Sequence, residues 1–254
     1  MKRYKEWFTP LNVQSLKKFG ALNVKFDNTE FSPNKKFKQV WQIWLLKPNE
    51  RGYNHFGYIL LEKSNVTEQD FRLKVSQQVI EFNSLFTIDA KILCKNDLSA
   101  TPLNWDIKYN LYYNKRKIKE ASILKKGNLT ALKKRKNING IVTSNWSFLE
   151  ALQRISYESE EKLNFTVIDE LDKIKNNQIL RFIKEQRIFF GGEKHKVKVY
   201  QHIGEGWLPW LYYIDNTGRL LIAINGLKAY ILNPDAITIH NRIVQQLKIR
   251  GISR

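Results

Sequence analysis

The feature that most constrains this chain is a period-two alternation that recurs from Phe71 to Leu111. In "FRLKVSQQVI", Phe71, Leu73, Val75 and Val79 share one face, and Arg72, Lys74, Ser76 and Gln78 share the other. "LFTIDAKILC" repeats the pattern, with Phe86, Ile88, Ala90, Ile92 and Cys94 opposite Thr87, Asp89 and Lys91. "NWDIKYNLYY" follows with Trp105, Ile107, Tyr109 and Leu111 against Asp106, Lys108 and Asn110. A helix cannot hold such a pattern on one side. Antiparallel strands that are wet on one face can. The short "EFNS" between the first two runs is a hairpin connection.

Turn chemistry extends the sheet toward the C-terminus. "DNTG" at Asp215–Gly218 and "NG" at Asn225–Gly226 combine residues that tolerate left-handed backbone with glycines that favour it. They divide the region into Trp207–Ile214, Arg219–Ile224 and Leu227–Leu232, a three-stranded meander. Upstream, Gly191–Gly192 joins "ILRFIKEQRIFF" to "HKVKVYQHI" in the same way. Strict alternation then puts Trp207, Leu211 and Tyr213 on one face and Leu208, Trp210, Tyr212 and Ile214 on the other. Both sets are apolar, so one joins the core and the other meets a helix, a ligand or a partner. Pro209 lacks an N–H, and a bulge there would shift the register by one.

Two helices interrupt the strands. "SNWSFLEALQRI" has Ser147 and Glu150 at capping-box spacing, followed by Phe148, Leu149, Leu152 and Ile155 at helical intervals. "PDAITIHNRIVQQLKIRG" starts at Pro234 and Asp235 and stops at Gly251. The expected organisation is one domain over 1–254. Residues 1–37 form an irregular N-terminal segment, 38–232 an antiparallel sheet with a helix at about 145–155, and 233–254 a C-terminal helix.

Charge sets the choice of partner. The net charge of +19 favours an acidic partner, such as an acidic polysaccharide, nucleic acid or an anionic surface. The densest run, Asn114–Asn137, reads as a hairpin about Lys126–Asn128. It would gather Lys115, Arg116, Lys117, Lys133, Lys134, Arg135 and Lys136 into a polyanion-binding projection. No aromatic is interleaved there for base stacking. A hydrophobic content of 43% excludes disorder over the whole chain. No run approaches the roughly 20 apolar residues of a membrane span, and no signal-peptide core follows the N-terminus. The chain as written therefore reads as soluble and cytoplasmic, or exported if a leader has been removed.

Several chemistries lack their residues. One cysteine, Cys94, and four scattered histidines give no zinc spacing, so no metal and no cofactor are expected. No phosphate loop or nucleophile elbow is present. Cys94 falls on the apolar face of its strand, as an inert buried thiol does. An acid–base group remains near the meander, where His202, Tyr212 and Arg219 are the candidate catalytic residues of a lyase acting on acidic sugars. The same meander offers Trp207, Trp210, Tyr212, Tyr213 and Arg219 as a ligand-binding face.

"TSNWSFLEALQRI" followed by "IGEGWLPWLYYIDNTGRLLIAINGLKAYIL" resembles a group of bacterial proteins akin to the LolA/LolB-type lipoprotein-carrier half barrels. The resemblance covers the C-terminal half and implies a curved antiparallel sheet wrapped around apolar contents, usually in exported proteins. Residue pattern and resemblance together predict a mainly β protein. It is a curved antiparallel sheet or incomplete barrel, with a helix packed across it and a helix at the C-terminus. The expected role is a non-catalytic binding or carrier module for an apolar or anionic ligand. The alternatives are a lyase-like enzyme on acidic polysaccharide and a nucleic-acid-binding protein that docks through 114–137.

Overall fold

The computed structural model describes residues 10–25, 31–46, 54–81, 84–113, 116–117, 123–135, 138, 140–155 and 162–249. The alternating segments form β3 (Asp70–Glu81), β4 (Ser84–Lys95) and β5 (Pro102–Tyr113), preceded by β1 (Phe37–Leu45) and β2 (Asn54–Ser64). Two short strands, β6 (Arg116–Lys117) and β7 (Ile123–Asn128), both pair with β5. After β8 (Val142–Ser144) come β9 (Lys162–Asp169), β10 (Lys173–Phe190) and β11 (Glu193–Gly204). The meander is β12 (Trp207–Asp215), β13 (Leu220–Ile224) and β14 (Lys228–Leu232). Four helices complete the described chain: α1 (Val13–Lys18), α2 (Leu129–Arg135), α3 (Ser147–Ala151) and α4 (Ala236–Ile249).

Among the described residues fourteen strands form one sheet in the order β6-β5-β4-β3-β2-β1-β14-β13-β12-β11-β10-β9-β8, with β7 beside β5. Every pairing is antiparallel except that of β8 with β9. The chain folds as two successive meanders joined edge to edge where β1 meets β14. This is the mainly β, curved and incomplete barrel expected from residue pattern and resemblance together. Its side-chain rows show the curvature: Leu232, Trp41, Ile59, Gln77, Ile88 and Tyr109 lie opposite one another across six strands. At the far end of that row the Tyr109 hydroxyl donates to the Glu170 carbonyl at 3.2 Å, and Lys125 pairs with Asp172 at 2.7 Å. Those contacts draw the two ends of the sheet together without strand pairing.

The concave side is filled by α3. Phe148 stacks on Phe165 and meets Tyr212 edge-on. Three polar contacts fix the plug against strands distant in sequence. Gln39 and Gln153 exchange amide hydrogen bonds of 2.9 and 2.8 Å. The Leu220 N–H donates to the Gln153 Oε1 at 3.1 Å. Glu150, fully buried, takes Lys63 at 2.5 Å and both arms of Arg154 at 2.8 Å. Buried polar groups of this kind need such partners. Here they fix which face of α3 looks at which strand.

Several expectations need correction. The N-terminal segment is not irregular throughout: Asn12 caps α1 in a reciprocal box with Ser15. Its Leu11 N–H bonds to Gly226, and Leu22 accepts from Gly191. Leu11, Leu16 and Leu22 thereby join the same apolar cluster as Val197, Val199, Tyr213 and Ile222. Those strand residues occupy the outward side of the meander, so it is buried on both sides. The central helix is shorter than 145–155 and starts after Trp146, without a side-chain cap. The Ser147 hydroxyl instead accepts from the Ser144 N–H at 3.0 Å, and Glu150 turns inward to its cations. The basic hairpin does not form: Lys126–Asn128 continue β7, and Asn128 caps α2 by accepting from the Ala131 N–H at 2.7 Å. The C-terminal helix begins at Ala236, after a turn held by Asn233, and packs on β1 and β2. The expected stop at Gly251 lies outside the described residues. No helix among the described residues is long and apolar enough to cross a membrane.

Candidate functional site

The β11–β12 connection builds one wall of a cavity at the mouth of the barrel. Gly206, at φ +65°, makes the turn. Gly204 then pairs with Trp207, and His202 pairs with Trp210. One residue separates the partners on β11 and two separate them on β12, so Leu208–Pro209 forms a bulge. An extra residue reverses the alternation. Trp207 and Trp210 therefore share the concave face, where strict alternation had put them on opposite faces. The Trp207 ring stacks on His202 with centroids 5.5 Å apart. Trp210 lies 6.1 Å from Tyr212 and 5.2 Å from Tyr230. Leu208 is left exposed at the rim.

The cavity holds about 380 Å³. Trp207, Trp210, Tyr212 and Tyr230 form one side, Ile59, Gln77 and Ile88 the other, and Trp146 and Leu149 the floor beside α3. Charge enters from two directions: Asp169, Glu170 and Lys175 from the β9–β10 hairpin, and Lys228 from the start of β14. Lys175 lies 4.1 Å from the centre of the Trp207 ring and pairs with Asp169 at 3.1 Å. The buried Trp207 Nε1 has no hydrogen-bond acceptor among the described residues.

His202 sits behind this wall, fully buried. The Gln178 amide nitrogen donates to the carbonyls of Asn176 at 2.6 Å and Glu205 at 3.1 Å. Its Oε1 is left to accept from His202 Nε2–H at 3.0 Å, and Nδ1 then accepts from the Tyr212 hydroxyl at 3.3 Å. Burial, with help from Lys175, lowers the His202 pKa to about 3. Burial likewise pushes the Tyr212 phenol well above its ordinary value. Both groups are neutral over the physiological range. They form a closed structural chain that ends on backbone carbonyls.

The other sequence candidates scatter. Arg219 lies at the β12–β13 turn, the far end of β12 from Trp207, with its guanidinium 5.2 Å from the Phe31 ring. It does not reach His202 or the cavity. Tyr213 faces the outward cluster, opposite Val199 and Ile222. Lys133 and Lys134 are exposed on α2, which Arg135 ends, and Arg116 and Lys117 form β6. Lys115 and Lys136 lie outside the described residues. Among the described residues no group of three or more His, Cys, Asp or Glu side chains converges as a metal site. Sequence reasoning missed Tyr230, Lys228, Lys175, Asp169 and Trp146. Tyr230 alone had a signal: the two turns already imply the row Tyr212, Ala223, Tyr230.

No protein-family model matches the chain, and no curated protein matches it. Among solved structures the chain is similar to a β-barrel-like protein of a domain of unknown function, DUF1849, from Brucella abortus. The two share 10% identity with a TM-score of 0.43, over 78% of this chain and 95% of that one.

Proposed function

We propose that the protein is a binding module whose concave cavity takes a small amphipathic anion, an apolar body with one acidic group. The observation that carries this reading is the cavity lining. Four aromatic rings from β12 and β14 face aliphatic side chains from β2 and β4. At the opening Lys175 is tied to Asp169 beside Glu170, while Lys228 has no carboxylate partner among the described residues. Ligand sites commonly combine apolar walls with a few placed polar groups. The apolar body would lie on Trp207, Trp210 and Tyr230. The acidic group would meet Lys228, at the start of β14. Carrier half barrels of the kind that the C-terminal half resembles hold cargo on the same side of such a sheet, an analogy of fold that supports the reading without carrying it.

The lyase alternative needs His202, Tyr212 and Arg219 to act on one substrate. His202 and Tyr212 face each other behind the cavity wall, and Arg219 stands at the opposite end of β12. The nucleic-acid alternative needs a basic hairpin about Lys126–Asn128, and there β7 runs straight into α2. Intrinsic tryptophan fluorescence tests the preferred reading. Dodecanoate should change the emission saturably, and dodecanol and dodecylammonium should bind at least tenfold more weakly. Lys228→Gln should narrow that gap, and Trp207→Ala should weaken all binding. Equal binding of the three amphiphiles to wild type and to both variants would overturn the proposal.

A further inference from the structure

We infer a second binding site on the outward side of β3, β4, β5 and β7, a groove that takes a linear acidic polysaccharide. Strand register builds it. Glu62, Lys74, Lys91, Asp106 and Lys126 lie opposite one another across five strands, and Arg72 stands two residues from Lys74 on the same face of β3. Lys74 is thus directly opposite Lys91. Like charges at such positions repel and weaken strand pairing. The row contains two acids, yet among the described residues the only ion pair within it is Lys126–Asp106 at 3.9 Å, with both side chains more than half exposed. Arg72, Lys74 and Lys91 have no carboxylate partner among the described residues. Three clustered cations that repel one another form an arrangement that an external anion relieves.

The surface is also concave there, with a volume of about 700 Å³. It is bordered by Ser64–Asn65 at the β2–β3 turn and by Gly127–Asn128 on β7. Neighbouring strands lie ~4.8 Å apart and alternate residues ~6.6 Å apart. The cations are therefore spaced to meet acidic groups that recur along a single extended chain. Amides fill the gaps between them: Asn65, Asn104 and Asn128 line the groove, and Asn128 keeps its NH₂ free to donate because its oxygen serves α2. Amides beside cations suit a polymer of hydroxyl-bearing rings with acidic substituents. Trp105 borders the groove but is buried with the inward-facing set, and Tyr112 stands at the other end of β5. The groove therefore holds no open ring for a base to stack on, which disfavours a single nucleic-acid strand. The overall charge of +19 adds long-range attraction for such a chain. This site is separate from the concave cavity, because its cations are on the opposite side of the sheet from Gln77 and Ile88.

The test compares two triple variants that remove the same charge. Arg72→Gln/Lys74→Gln/Lys91→Gln alters the groove, and Lys184→Gln/Arg187→Gln/Lys194→Gln alters the exposed part of the β10–β11 hairpin. A size-defined heparin oligosaccharide, a single-stranded DNA of equal charge and a DNA duplex serve as probes. The groove variant should lose at least tenfold in heparin affinity at 0.1 M salt, with a flatter salt dependence. The hairpin variant should lose less than threefold. Dodecanoate binding should be unchanged in the groove variant, and its urea midpoint should hold or rise, because the Lys74–Lys91 repulsion is removed. Equal losses in the two triples would overturn the site and leave diffuse charge. Losses confined to either DNA probe would overturn the choice of polysaccharide.

Discussion

Replacing Glu150 by Gln removes the carboxylate that two buried cations share. Lys63 is fully buried and donates to Glu150 and, at 2.9 Å, to the Pro33 carbonyl, with its ammonium 4.5 Å from the Phe71 ring. Arg154, with a side chain only 10% exposed, forks onto the same carboxylate. The amide of Gln keeps the shape and cancels the charge. Removing one partner of a buried ion pair costs about 3–5 kcal/mol, because the other charge stays desolvated. Deprotonation sets a ceiling on the lysine's share. A lysine forced neutral at pH 7 gives up the gap to its ordinary value of about 10.4, or about 4.6 kcal/mol at ~1.36 per unit. Burial already lowers the Lys63 pKa, with Glu150 opposing it. A base with a lowered folded-state pKa contributes stability that is full above its unfolded value and is lost as pH falls through the folded one. Removing Glu150 widens that window downward. Urea unfolding at pH 7 should therefore show a deficit of about 3–5 kcal/mol in Glu150→Gln, falling to about 1–2 kcal/mol at pH 9.5. Lys63→Met in the Glu150→Gln background should recover most of the loss. A deficit below about 1 kcal/mol at pH 7, or one unchanged at pH 9.5, would refute the claim that this cluster holds α3 in the barrel.

His202 and His240 have pKa values lowered by burial to about 3 and about 4. Their stabilisation is complete above about pH 6.5 and lost as pH falls toward those values, so the urea midpoint should drop across that window, and His202→Gln should flatten the slope by up to about 1.4 kcal/mol per pH unit. Cys94 is fully buried and its thiol pKa is pushed well up by burial, so a disulfide reagent should leave it unmodified in native protein and label it on unfolding; fast native labelling would contradict the strand's assigned faces. Trp210 is buried between Tyr212 and Tyr230, so Trp210→Ala should cost about 3–5 kcal/mol. The half-buried rim residue Trp207 should cost much less on the same substitution and lose dodecanoate affinity instead; equal large losses of stability from both would make the pair packing alone.

The strands that could be read from the sequence were those with one wet face. Phe71, Leu73 and Val75 alternate with Arg72 and Lys74 because solvent covers one side of β3, and the burial alternates accordingly. In β13 every residue from Leu220 to Ile224 is buried, so periodicity carries no information about its faces, and only the flanking turns located it. Those turns were legible because Gly218 and Gly226 adopt φ of +85° and +82°, which few other residues tolerate. The α3 cap misread has a different cause. Ser147 and Glu150 have capping-box spacing, but Lys63 lies 87 residues before Glu150, and a buried cation at that separation outweighs a local cap. The cavity was half visible. Its aromatic wall follows from the meander, while the Leu208–Pro209 bulge that aligns the two tryptophans depends on pairing with β11. Lys175, Trp146 and Gln77 reach the cavity only through the curvature of the whole sheet, which no local pattern encodes.

The concave cavity is the centre of this account, and the indole N–H resonances of a ¹⁵N-labelled sample report on it directly. Trp207, Trp210 and Trp146 line the cavity, and Trp41 and Trp105 do not. Titration with dodecanoate should shift the Trp207, Trp210 and Trp146 signals saturably along one common binding curve, leaving those of Trp41 and Trp105 in place. Unmoved cavity signals at saturating dodecanoate, or shifts confined to Trp41 and Trp105, would contradict it.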